Sequence, residues 1–243
     1  INRGLLLNSN KKLNGGENII LIKGDLIIAE TLTQNKNVPN RIFVDGNVII
    51  NEGTNSEVDL EILTTGSVHI NSNCNLFNML LFAEKEITVN ENVFFKNCQL
   101  FSEKKIDVIK SLFQYPSILS LYTNTAETNR HRNSINLTDI TFNGSILLLS
   151  RDVGFSSNQS IISIDEKSRI QGLIYSENFL ELKSEVSGIV YTYNFWNYIE
   201  PTMYINWLLD INIDRQRLDS NFLLPLGFFQ SEQYAILDEQ RIY

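Results

Sequence analysis

Between residues 20 and 110 the apolar positions fall in short runs of period two: Gly24-Asp-Leu-Ile-Ile, Gly46-Asn-Val-Ile-Ile, Gly66-Ser-Val-His-Ile, Lys85-Glu-Ile-Thr-Val and Lys104-Lys-Ile-Asp-Val. The starts lie 22, 20, 19 and 19 residues apart. A sixth copy, Gly144-Ser-Ile-Leu-Leu, begins 40 residues after Lys104, which is two periods and leaves room for an irregular coil with an insertion. Aligned on the starts, Leu26, Val48, Val68, Ile87, Ile106 and Ile146 form one row, and Ile28, Ile50, Ile70, Val89, Val108 and Leu148 a second. Alternation of this kind separates the inward and outward faces of a strand. A third apolar row, Ile20, Ile42, Ile62, Leu81, Leu100 and Ile140, stands four residues before each start. The expected coil therefore carries two short strands whose inward residues stack on the coils above and below, the arrangement of a β-solenoid.

Further positions acquire addresses in that frame. Asn51, Asn71 and Asn90 follow their starts by five residues and predict an asparagine ladder at a corner, where Asn tolerates the left-handed conformation and its amide can bond to the next coil. Cys98 shares a row with Leu60 and Met79 and reads as a small buried hydrophobe; Cys74 falls at a different corner. Three residues before the starts, on the outward side, stand Leu21, Phe43, Leu63, Phe82 and Phe101. A free solenoid wall has no need of such a stripe, so either the C-terminal segment covers it or it docks a partner protein or another copy of the chain.

From Asn158 the pattern resumes in tighter coils, with Gly172 and Gly188 separated by 16 residues. The units Ile170-Gln-Gly-Leu-Ile-Tyr, Leu180-Glu-Leu and Val186-Ser-Gly-Ile-Val-Tyr resemble the short glycine-containing coils of bactofilins and other polymer-forming β-solenoid proteins. That resemblance covers about 30 residues, mainly 168–195, and implies a right-handed parallel β-helix used as a scaffold without catalysis. The same coils followed by an aromatic C-terminal segment are similar to cell-envelope proteins of Bacteroidetes type. Neither resemblance transfers a site.

Two stretches break the repeat. Residues 122–134 are polar and aperiodic and predict a loop ejected from the wall; Arg130, His131 and Arg132 on it are the one local basic concentration and a candidate loop site. After Tyr193 the composition shifts, with both tryptophans and about two-fifths of all aromatic residues in the last fifty positions. The expected division is thus a solenoid over 1–194 and a capping or docking segment over 195–243. Pro201 is placed to open a helix with Met203, Tyr204, Trp207 and Leu208 on one face, and a second turn is expected over Asp214 to Leu218. The run Asn221-Phe-Leu-Leu-Pro-Leu-Gly-Phe-Phe is too apolar to hang in water, which adds Trp196, Trp207, Phe228 and Phe229 to the candidate interface. An aromatic tail at one end could also cover the strand edges of the last coil.

Composition narrows the class. The chain has 243 residues, 43% of them apolar, with thirty asparagines, thirty isoleucines and four alanines, a strand-and-turn composition. No apolar run is long enough to span a bilayer. The chain opens on Ile1 and not on methionine, which leaves room for a leader or anchor upstream. A net charge of −8 with a pI near 4.9 argues against a nucleic-acid partner. Two cysteines outside any CxxC spacing make no disulfide framework.

Candidate chemistry is sparse. Pectin-lyase-like enzymes bring several Asp, Lys or Arg side chains onto one outward face, so the outward rows are the place to look. The row three after each start reads Ile27, Ile49, His69, Thr88, Asp107 and Leu147, and the row one after it Asp25, Asn47, Ser67, Glu86, Lys105 and Ser145; neither holds a tight carboxylate pair. His69 and Asp107 stand two coils apart, roughly 10 Å at about 4.8 Å per coil. With His69 and His131 the only histidines, a multi-histidine metal site and a Ser-His-Asp triad have little to draw on. The doublets Asp165-Glu166 and Asp238-Glu239 lack calcium-loop spacing, no phosphate-binding glycine motif occurs, and the sequons at Asn136, Asn143 and Asn158 are expected by chance. No cofactor is expected. The leading expectation is a non-enzymatic structural or interaction component of a bacterial cell-envelope or surface assembly, with protein partners or self-association. The alternative is a carbohydrate-binding or carbohydrate-cleaving β-helix with its groove beside the 122–134 loop.

Overall fold

The computed structural model describes residues 1, 3–10, 13, 16, 19–34, 38–123, 133–150, 160–208 and 211–224. Within them the chain is a parallel β-solenoid of three walls, not two. One wall stacks Ile19–Lys23, Asn40–Asp45, Leu60–Thr64, Met79–Ala83, Gln99–Ser102 and Ile118–Thr123. A second stacks Leu5–Leu7, Leu26–Ile28, Val48–Ile50, Val68–Ile70, Glu86–Val89, Lys105–Ile109, Ser134–Thr138 and Ile161–Ile164. The third wall, Thr31–Leu32, Asn55–Ser56, Asn75–Phe77, Phe94–Lys96 and Leu112–Gln114, escapes the periodicity because each of its strands holds a single inward residue and so shows no alternation. Its inward column nonetheless supplies the largest core side chains. The Phe95 and Phe113 rings stack at 4.2 Å and Phe142 continues the stack at 5.1 Å.

Register bears out the rows as far as the fifth start. Leu26, Val48, Val68, Ile87 and Ile106 pair in sequence, as do Ile20, Ile42, Ile62, Leu81 and Leu100. The sixth copy is displaced. Ile106 pairs with Ile135 and Val108 with Leu137, whereas Ile146 and Leu148 pair with Leu119 and Leu121 of the first wall. Ile140 belongs to the corner column of Cys74, Val93 and Ser111, as the pairings of the residues that follow each of them fix. The physical reason is the extra length between the first and second walls of that coil: counting two periods from Lys104 falls one wall short of the second-wall strand Ile161–Ile164. The polar stretch 124–132, with Arg130, His131 and Arg132, lies outside the described residues.

Past Thr141 the corner between the third and first walls tightens. Thr141–Ser150 runs through the third and first walls without a break, and Arg169–Leu182 and Val186–Ile199 traverse all three. The corner is then taken by Gly144, Gly172 and Gly188, stacked one above another. A Cβ on Gly172 would sit 1.9 Å from the Gly144 carbonyl oxygen, and its φ of +136° disfavours any L side chain. At other corners asparagine does this work. Asn73, Asn78, Asn92 and Asn97 hold φ between 54° and 61°, and the Asn97 amide donates to Asn78 at 2.8 Å. The Asn71–Asn90 rung of the expected ladder is present at 3.4 Å, but left-handed backbone falls two residues later, at Asn73 and Asn92.

After Phe195 the chain leaves the parallel register. Thr202–Ile205 is a strand antiparallel to Trp196–Ile199, which replaces the helix expected after Pro201. The unpaired edge of Val186–Ile199 offers ladder hydrogen bonds to residues that pack well in strands, and that outweighs a short helix with little to bury. The second expected turn is present as a 3-10 turn over Arg215–Arg217, capped by Asp214, whose carboxylate accepts from the Gln216 amide at 2.9 Å and pairs with Arg217 at 3.0 Å. Ile213 bridges to Val186, laying the returning chain on the edge of the last coil. Among the described residues no helix is long and apolar enough to cross a membrane.

Removing Phe113 opens a cavity between two other rings, so Phe113→Ala is expected to cost about 3–5 kcal/mol in chemical denaturation. Gly172→Ala places a methyl group on a carbonyl held by ladders on both sides and is expected to abolish cooperative unfolding of the intact chain, read by circular dichroism.

Candidate interaction surface

The outward column of the first wall gathers five of the candidate interface residues. Leu21 pairs with Phe43, Phe43 with Leu63, Leu63 with Phe82 and Phe82 with Phe101, so one apolar side chain stands on each of five successive coils. Burial along it is graded. Leu21, Phe43 and Leu63 are 61%, 38% and 42% exposed, and Phe82 and Phe101 are half-buried. Upward the column continues through Ser120 and Leu147, both buried, to Tyr175 and Tyr191. Burial, then the Glu177 carboxylate, push the Tyr175 phenol up from its usual value. At the exposed end the flanking column carries Arg41 and Glu61, whose side chains pair at 2.7 Å across adjacent coils.

The described part of the C-terminal segment does not cover that end. It sits on the last coil and then on the corner between the third and first walls, where Phe222 packs 5.4 Å from Tyr115 and the Leu223 amide donates to the Tyr115 hydroxyl at 2.9 Å. Trp196 and Trp207 are not part of the stripe. Both line one depression of about 280 Å³ with Leu182 and Ile211, and the Trp207 ring meets Tyr204 edge-on at 4.8 Å. Phe228 and Phe229 lie outside the described residues.

The second wall's outward column reads differently from the sequence expectation. Leu147 is not in it; after His69, Thr88 and Asp107 come Asn136, Ser163 and Glu181. Ser134, not Ser145, follows Lys105 in the neighbouring column. His69 and Asp107 are separated by the Thr88 coil. Asp107 is held by Lys105 at 2.5 Å and by the Asn136 amide at 2.6 Å. Glu181 accepts from the Ser163 hydroxyl at 2.6 Å and pairs with Lys183 at 2.8 Å. Leu180 pairs with Phe195, which sets Trp196 beside Glu181, and Tyr198 follows two residues on. These residues enclose a shallow cleft of about 410 Å³. Nothing in the residue spacing announces it, since Asn136, Ser163, Glu181 and Trp196 become neighbours only through the coil register.

Neither thiol has the setting of a nucleophile. Both are buried and unpaired in disulfides; burial raises Cys74 and pushes Cys98 up to about 11. Among the described residues no three His, Cys, Asp or Glu side chains gather closely enough to hold a metal ion. Compared with protein-family models, with curated proteins and with solved structures, the chain matches none.

The buried thiols yield a direct test. Native protein is expected to leave both cysteines unreactive toward a disulfide reagent, and denaturant to release two equivalents. Because the folded Cys98 binds its proton more tightly than an ordinary thiol near 9, its neutral form stabilises the fold fully below that value, and the contribution is lost as pH rises toward about 11. Unfolding free energies of wild type minus Cys98→Ala are therefore expected to shrink across that interval.

Proposed function

We propose that this chain is a non-enzymatic interaction scaffold of a bacterial cell-envelope or surface assembly, in which a rigid stack of coils presents an apolar stripe to a protein surface. The observation that carries the reading is the end of the first wall's outward column that the described C-terminal residues leave open, Leu21, Phe43 and Leu63, one side chain per coil on a frame whose inward positions are closed. Three aligned apolar side chains held by ladder hydrogen bonds lose little conformational freedom on contact, which favours their use in docking. The Arg41–Glu61 pair beside them has the character of an interface rim. The envelope placement rests on the likeness of residues 168–195 to bactofilin coils. Absence of catalysis rests on the separation of His69 from Asp107 and on the engagement of the column's carboxylates by lysines in the same wall.

The double variant Phe43→Asp, Leu63→Asp tests the role. Both side chains are exposed in the isolated chain, so folding should survive, while an interface must then bury two unpaired charges. Wild type is expected to form an oligomer, or a complex of fixed stoichiometry recovered from native cells, that the variant loses by at least about tenfold, as read by light scattering and mass spectrometry. Recovery of both proteins as indistinguishable monomers without a partner would overturn the proposal.

A further inference from the structure

The cleft at the top of the second wall carries a separate reading, independent of the stripe. We propose that it binds a neutral oligosaccharide, with Asn136, Ser163 and Glu181 meeting sugar hydroxyls and Trp196 and Tyr198 meeting the apolar faces of the rings. Its volume, about 410 Å³, suits a short run of sugar units. The polar groups stand one per coil, and the rise per coil, about 4.8 Å, is close to the length of one pyranose ring, so a linear glycan laid along the stack meets a new polar side chain at each ring.

The polar groups are preorganised. Glu181 is fixed by Ser163 and Lys183 and its side chain is only 15% exposed; Asn136 is fixed through its amide nitrogen by Asp107 at 2.6 Å and by Ser134 at 2.9 Å. With their own donors engaged inside the wall, Asn136, Ser163 and Glu181 present acceptors to the cleft, and sugar hydroxyls can donate to them. The aromatic side is fixed as well. The Trp196 ring rests at 5.0 Å on the edge of the buried Phe179, while Tyr198 is 51% exposed at the cleft margin. A rigid aromatic platform beside a few placed polar groups is the common composition of small-ligand sites.

Charge selects the class of sugar. Each carboxylate of the column has its own lysine two residues away, Lys105 for Asp107 and Lys183 for Glu181. No described cation lining the cleft is left over to neutralise a uronate, so an acidic oligosaccharide would enter against unpaid desolvation. A neutral glycan needs no such partner.

The test is calorimetric titration of the intact chain with cellohexaose, maltohexaose, mannohexaose and chitohexaose, with hexagalacturonate as the acidic probe. At least one neutral hexamer is expected to bind saturably with a Kd of about 1 mM or below, and hexagalacturonate at least about tenfold more weakly. Tyr198→Ala and Glu181→Gln should each weaken that binding at least about tenfold while the circular dichroism spectrum stays unchanged. Trp207→Phe leaves Trp196 as the sole tryptophan, and its emission should shift with the same Kd. If Glu181→Gln fails to fold, Tyr198→Ala decides, because that ring is exposed. The proposal is overturned if no neutral hexamer binds at about 10 mM, if binding survives both substitutions, or if the acidic probe binds most tightly.

Discussion

Parallel hydrogen bonding between coils, in register but for one shift between Ser176 and Phe179, is the constraint on which everything else in this molecule depends. It makes a residue's closest neighbours the members of its column, one coil up and one coil down, whatever their distance along the chain. An inward column must then be filled by side chains that tolerate contact with near-copies of themselves at about 4.8 Å. Leu26, Val48, Val68, Ile87 and Ile106 meet that demand with β-branched or leucine side chains, and Phe95, Phe113 and Phe142 meet it by ring stacking. Corners face a harder version of the same demand, because the backbone must turn without fouling the turn below. Glycine answers it at residues 144, 172 and 188, and left-handed asparagine answers it at residues 73, 78, 92 and 97.

Outward columns carry no packing obligation, and their composition is therefore informative about use. Several of their charges are paired: Arg41 meets Glu61, Lys110 meets Glu91, Lys105 meets Asp107. Exposed pairs of this kind add little stability. Two columns depart from that pattern. One departure is the apolar column from Leu21 to Phe101, and the other is the polar column that ends against Trp196 and Tyr198. They lie on different walls and differ in chemistry, which is the ground for proposing a protein surface at the first and a neutral glycan at the second.

How much could be read in advance varied along the chain for physical reasons. The first and second walls were legible because their strands place at least two inward residues two positions apart, as in Leu26–Ile28, and the stripe was legible because its five members share one offset from the repeat starts. The third wall was not, since a strand such as Thr31–Leu32 or Phe94–Lys96 turns one residue inward and shows no period. The coil after Ile106 was misplaced because extra residues at one corner reset the count, and with it went Ile140, Ile146, Leu147 and Leu148. Trp196 was grouped with the stripe on aromatic character alone, although its column neighbour is Glu181. The segment after Pro201 looked helical locally and became a strand because a free ladder edge lay beside it.

What the amino-acid order determined by itself was the repeat, the inward rows of the regular coils, the burial of Cys98 and the existence of an apolar outward stripe. All of these follow from local alternation at a fixed period, which is a property of the chain. The tertiary structure alone decided the number of walls, the register beyond Thr123, the path of the segment after Phe195 and the meeting of Asn136, Ser163, Glu181 and Trp196. Those depend on how many residues each corner consumes, and a corner's length is set by where the two flanking strands find their ladders, not by any pattern within the corner itself.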